Sequence, residues 1–226
     1  KENSPDNFYY HLVLLAENNK GYDNLIKIVS YGFKDGFYYK PRVDIELLEK
    51  YHEGIIALSA CLAGPVARTI IRQGYDKGKE VALRYNNIFG ENNFFLELQD
   101  HMDGSVDQQT VNQSLMRMHQ ETGIPLVATN DCHYISPEDA EAHDILLCIQ
   151  TNTTVDEADR MRYEGGQYYV KSPEKMYSLF PYAHQACENT YKIAQRCNVE
   201  FDFNTIHLPN YEVPEGYTTS GYLEEL

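Results

Sequence analysis

The chain has 226 residues, 42% of them hydrophobic and 23% charged, an ordinary globular composition with room for one large domain or two small ones. Lys and Arg number 19 against 34 Asp and Glu, and the resulting formal charge of −15 makes a surface that repels phosphate backbones. No run approaches the ~18 apolar residues of a membrane span, the opening Lys1-Glu2-Asn3-Ser4-Pro5 is no signal peptide, and five scattered cysteines without a CxxC pair argue against a disulfide framework or a zinc ribbon.

These features predict a soluble, cytoplasmic protein in a reducing compartment, and a start without Met predicts residues upstream. Any grip on nucleic acid must come from other domains or from a compact metal pocket, whose cations invert the local field.

In chain order, short apolar runs alternate with helical patterns, the signature of an α/β protein with parallel strands. A first strand is expected over residues 9–16, then a helix over 22–31 with Leu25, Ile26 and Val29 on one face. Pro41 and Asp44 are a stop and an N-cap ahead of a helix over 45–51. The continuous run Ile55-Ile56-Ala57-Leu58-Ser59-Ala60 reads as a buried parallel strand. Helices over 62–72 and 77–89 precede a strand over 94–98, a helix over 108–122 and a strand over 126–129. Ser136 is an N-cap for a helix over 137–150, with Asp139 at its third position. A weaker strand covers 168–170, and a last helix is expected over 183–197. Gly74, Gly90 and Gly123 lie where helices should end.

From about Val199 the texture changes to a proline-containing stretch without period, which predicts an extended connector. Four strands, or five with the weak run, are fewer than a closed (β/α) barrel needs. Pattern alone allows a small open sheet or a barrel missing its beginning.

The sharpest chemical feature is Val127-Ala128-Thr129-Asn130-Asp131-Cys132-His133-Tyr134, an apolar strand running into Asp-x-His. Residues i and i+2 of a strand share a face, so Asp131 and His133 are expected to converge. A carboxylate oxygen and an imidazole nitrogen there are reasonable ligands for a divalent metal; a plain Asp–His hydrogen bond in a loop explains the same pair. Cys61 ends one strand and opens a helix, whose N-terminus favours the metal-binding thiolate, although a lone Cys is more often an ordinary small buried residue. His11, in an apolar run, reads from its surroundings as a core histidine rather than a ligand. Glu97 and His101 flank another strand end, as supporting groups or as a plain polar terminus. His143 is a helix-face residue or a hydrogen-bond partner, and His52, His119, His184 and His207 read as surface residues.

Other chemistries find no support. The chain has no GxSxG elbow, no P-loop and no GxGxxG. No Asp-x-Asp pair suits two-metal polymerase chemistry, and the 19 Tyr and 9 Phe lack the interleaved Lys and Arg of a single-strand platform.

Several segments, in order and spacing, resemble one family. Residues 10–25, beginning Tyr10-His11-Leu12-Val13, and residues 36–44, Gly36-Phe37-Tyr38-Tyr39-Lys40-Pro41-Arg42-Val43-Asp44, are similar to the middle of the PHP domain of bacterial DNA polymerase III alpha subunits. Residues 56–64, 125–134, 138–151 and 208–217 continue the likeness, which covers essentially the whole chain. Any one segment is weak; the ordered set is specific.

That resemblance implies a partial distorted (β/α)7 barrel of PHP type over residues 1–198, with 199–226 as an extended connector toward a polymerase palm. It places His11, Cys61, Asp131 and His133 at positions that supply metal ligands, with zinc or manganese as candidate ions, and leaves Glu97, His101 and His143 unmatched. The family's opening His-x-His, its Thr-Asp-His-Gly and a glutamate strand have no counterpart here, so only part of the ligand set and of the barrel is expected, and metal binding by this chain alone is expected to be weak. For the parent protein it implies a DNA-directed DNA polymerase acting on DNA and deoxynucleotides, with a PHP region serving as a metal-dependent 3′–5′ exonuclease, a pyrophosphate-hydrolysing site, or a scaffold that docks a proofreading subunit. A free-standing PHP phosphoesterase and a non-catalytic scaffold are the alternatives. An open sheet edge left by missing strands predicts self-association.

Overall fold

The computed structural model describes residues 9–206, 208 and 211–226. The surface expectation for His207 and part of the expected connector lie outside the described residues. The elements follow in the order β1 (Val13–Ala16), α1 (Asn19–Lys34), α2 (Ile45–Tyr51), β2 (Ile55–Leu58), α3 (Pro65–Gln73), α4 (Tyr75–Phe89), β3 (Phe94–Leu98), α5 (Val106–Thr122) and β4 (Leu126–Ala128). After a 3-10 turn at Pro137–Asp139 come α6 (Ala140–Thr151), α7 (Pro173–Leu179), α8 (His184–Arg196) and α9 (Thr219–Glu225). Among the described residues no helix is long and apolar enough to cross a membrane.

The four strands form one open sheet in the order β1-β2-β3-β4, and no closed barrel is present among the described residues. Strands β2, β3 and β4 are parallel, with Leu58 opposite Phe95 and Glu97 opposite Val127. The expectation of parallel strands throughout needs one correction: β1 runs antiparallel to β2, pairing Val13 with Leu58 and Ala16 with Ile55. An apolar run reports burial and not direction, and antiparallel edge strands on parallel sheets are common. Residues 9–12 precede the strand instead of belonging to it. The weak run at 168–170 contributes a single parallel bridge, Tyr169 to Tyr134.

Period-2 alternation divides the core in two. Ile55, Ala57, Phe94, Leu96, Leu98, Leu126 and Ala128 pack with Val66, Ile70, Ala82, Val111 and Leu115 of α3, α4 and α5. Ile56, Leu58, Phe95 and Val127 point the other way and meet Ile193 of α8. Burial of these side chains supplies the main driving force, about 1.5–3 kcal/mol for each large one.

The helix starts follow from capping chemistry. Asp44 accepts the Leu47 N–H at 2.9 Å, and Gly74, Gly90 and Gly123 end α3, α4 and α5. Ser136 donates its N–H to Asp139 Oδ2 at 2.9 Å, joining the 3-10 turn to α6. Two short helices lie outside the sequence expectations. Ser172 caps α7 with Pro173 at the first position, a start signal in itself, and α9 interrupts the expected connector, capped by Thr218 accepting from Gly221 N–H at 3.1 Å.

Candidate functional site

Parallel β2, β3 and β4 end on the same side of the sheet, and antiparallel β1 begins there, because Val13 faces Leu58. This is what brings His11 to the site. Its N–H donates to Ala63 O at 3.1 Å, and its Nδ1 lies 3.7 Å from Cys61 Sγ. His11 is exposed, which removes the core-histidine reading.

Cys61 stands on a tight loop after β2. The Gly64 N–H donates to Cys61 O at 2.8 Å, and a Cβ on Gly64 would sit 2.1 Å from Ser59 O, so the loop closes in this form only around glycine. Proline at its first position starts α3 at Pro65, not Leu62. Cys61 is therefore not at a helix N-terminus, and burial pushes its thiol pKa up instead of down.

Asp131 and His133 do come together, but not by strand pleat. Strand β4 stops at Ala128, and Asp131 adopts a left-handed backbone with φ 44°. The resulting turn sets Asp131 Oδ1 3.6 Å from His133 Nε2, while the His133 N–H donates to Tyr168 O at 2.8 Å.

Between the two pairs lies Glu97, buried on the Phe95 face at the end of β3. Its Oε2 accepts the Ala60 N–H at 2.9 Å; its Oε1 accepts the Thr129 hydroxyl at 2.5 Å and the Gln99 amide at 3.1 Å. Burial raises its pKa, against these hydrogen bonds, which favour the carboxylate. Ala60, with φ 63°, and Asp131 are both left-handed non-glycine residues on either side of it; such strain clusters where surrounding structure holds a site in shape.

His11, Cys61, Glu97, Asp131 and Lys40 line one cleft of about 520 Å³, with Tyr9 and Tyr10 at its edge. His133 faces the neighbouring aromatic wall, its ring 4.2 Å from Tyr163, 5.4 Å from His143 and 5.8 Å from Tyr168. Burial raises the Tyr163 pKa, and the negative charge of Asp131 adds to the rise. Burial beside Asp103 and Asp131 pushes Tyr168 up to about 12. The loop carrying Tyr163 is pinned by Arg160, whose guanidinium forks onto Asp144 of α6 with two bonds of 2.6 Å. His101 is buried, stacks on Tyr168 at 4.1 Å and lies 3.2 Å from Asn130 O; burial lowers its pKa, and its part is to support the Asp131 turn.

Imidazole, thiolate and carboxylate are suitable ligand types for zinc or manganese. Among the described residues, however, no three His, Cys, Asp or Glu side chains assemble as a metal-holding group. Each pair on its own offers two donors, half of a four-coordinate shell. The donors fit a divalent ion in kind, but the two pairs do not converge on one point among the described residues.

Residues 2–101, which include His11, Cys61 and Glu97, match the PHP domain family. The likeness to known proteins extends further. The chain is similar to DNA polymerase III subunit alpha of Borreliella burgdorferi, 43% identical over 219 residues covering 96% of the chain and 19% of that protein. The same subunit of Treponema pallidum is 42% identical over 93% of the chain, and that of Thermus aquaticus 40% over 98%, each match covering 18% of the relative. The chain thus spans less than a fifth of the length of these relatives. Asp131 and His133 lie beyond the PHP match but within the longer similarity.

Sequence reasoning missed Lys40, Tyr163 and Arg160. Nothing in their local patterns sets them apart; they come near the site on loops whose paths depend on tertiary packing.

Proposed function

We propose that this chain is the PHP region of a bacterial DNA polymerase III alpha subunit, and that His11, Cys61, Asp131 and His133 are its contribution to a divalent-metal phosphoesterase site in the parent protein. The observation that carries this reading is the similarity to that subunit along nearly the whole chain, joined by the arrival of three of the four side chains in one cleft. Residues 1–198 then form the PHP domain and 199–226 the connector to the polymerase.

In such a parent, DNA-directed synthesis from deoxynucleotides belongs to the larger remainder of the protein, in the cytoplasm, within an assembly that includes a proofreading exonuclease subunit. The PHP region is a 3′–5′ exonuclease or a pyrophosphate-hydrolysing site. A bound divalent ion would supply Lewis acidity toward a phosphoester. The chain's own residues hold donors and shape: Glu97 ties the Cys61 and Asp131 loops together, and Tyr163 covers His133.

One observation favours a second reading, a scaffold without chemistry: the donors of the described residues stay in separate pairs. Hydrolysis assays on the parent protein decide between them. Release of 3′ nucleotides or cleavage of pyrophosphate that disappears in Asp131→Ala supports the enzyme; equal turnover in both proteins, or none, leaves the scaffold.

The outer edges of β1 and β4 each lack a strand neighbour among the described residues. Such edges invite pairing, and we infer self-association of the isolated chain; a monomer by light scattering at high concentration overturns that.

A further inference from the structure

We propose that Lys40 is the phosphate anchor of the cleft, the side chain that receives the phosphoryl group of a nucleotide or pyrophosphate ligand. The inference rests on the phosphoesterase reading for its ligand class, but its test is separable.

A phosphate entering this cleft meets an adverse field. The chain carries −15 overall, and Glu97 and Asp131 both line the walls. A ligand bearing negative charge needs a compensating cation close by. Among the lining residues Lys40 is the one Lys or Arg, and it stands on the wall with His11 and Cys61. No ion pair joins it to a carboxylate among the described residues, whereas lysines such as Lys77 and Lys79 are paired with Glu80 and Glu121. Among the described residues its charge is therefore left to meet an incoming anion.

The backbone presents Lys40 deliberately. Tyr38 donates its N–H to Lys40 O at 3.1 Å, closing a turn around Tyr39, whose φ of 59° is left-handed. Pro41 follows, and a residue before proline is restricted to extended conformations. The ammonium lies 5.4 Å from the centroid of the Tyr9 ring, an attraction that holds it on the cleft side without neutralising it. A lysine ammonium acts as a compact point charge with three donors, suited to the spread charge of a phosphoryl group.

The experiment measures binding of inorganic pyrophosphate and of a nucleoside monophosphate to the full-length parent protein by calorimetry. Wild type is compared with Lys40→Ala, Lys40→Glu and Lys40→Arg, alongside KM and kcat for hydrolysis. The exposed position lets these variants fold, which thermal melting checks. The proposal predicts affinity lowered roughly tenfold or more in Lys40→Ala, a larger loss in Lys40→Glu, near wild-type binding in Lys40→Arg, and a rise in KM with kcat little changed. Binding by Lys40→Ala and Lys40→Glu within twofold of wild type overturns it while leaving the phosphoesterase reading intact. Lys40-dependent binding without hydrolysis retains the anchor and removes the enzyme. A wild type that binds neither ligand overturns both.

Discussion

The carboxylate of Glu97 accepts the Ala60 N–H on one oxygen at 2.9 Å and the Thr129 hydroxyl on the other at 2.5 Å. One side chain of β3 thereby fastens the loop that follows β2, which carries Cys61, to the loop that follows β4, which carries Asp131. The Glu97 N–H adds a bond to Ser59 Oγ at 2.8 Å. Neither loop has the backbone form of a regular element, so the shape of the mouth depends on this crosslink.

Glu97→Ala should therefore cost about 2–4 kcal/mol, because it strands a buried N–H and a hydroxyl without acceptors. Glu97→Gln keeps one acceptor oxygen and should cost less. Urea denaturation of the three proteins checks the order; a Glu97→Ala protein as stable as wild type would show that the crosslink holds nothing.

Gly64→Ala acts on the same loop from the other side. Its Cβ would meet Ser59 O at 2.1 Å, a contact the backbone must move to relieve, at about 1–3 kcal/mol. Cys61 shifts with it. Thiol labelling rates, faster in the variant than in wild type, and a lowered melting temperature are the expected results.

Arg160 and Asp144 govern the loop that brings Tyr163 against His133. Arg160→Lys retains the charge but loses the planar two-bond fork. Hydrogen exchange over residues 152–163 should quicken in Arg160→Lys and further in Arg160→Ala, with β3 amides unchanged. Uniform exchange across the three proteins would mean that the loop is held by other contacts.

Stability should also fall in acid through Glu121. Its contacts with Lys79, Tyr75 and Arg117 hold its pKa down to about 2, below the ordinary 4.5. A depressed carboxylate pKa contributes stability that is present above the unfolded value and is lost as pH falls from about 4.5 toward 2. Glu121→Gln should flatten that part of the melting-temperature profile, modestly, because these groups are partly exposed and screened. Parallel profiles for the two proteins would contradict it.

Much of the fold is legible in the residues. The run at Ile55–Leu58 and the Asp44-capped helix Ile45–Tyr51 stand where hydrophobic pattern and capping put them. The direction of β1 is not legible, because alternation and burial are the same in either sense. Yet that direction decides the site: only an antiparallel β1 starts at the mouth and delivers His11 to Cys61. The Asp131–His133 contact was reachable from spacing, though the pleat is the wrong cause, since a left-handed Asp131 makes the turn. Tyr163 and Lys40 arrive on loops after long excursions, and no local pattern marks them.

A metal-dependent site at these residues is tested most directly by the divalent-metal content of the full-length parent protein, measured by mass spectrometry beside an assay for 3′–5′ nuclease activity, in wild type, Asp131→Ala and His133→Ala. Bound metal is expected in the wild type, with metal and nuclease activity falling together in both variants. A wild type that retains no metal and degrades nothing, or variants that keep both, would contradict it and leave His11, Cys61, Asp131 and His133 as structural residues of a scaffold.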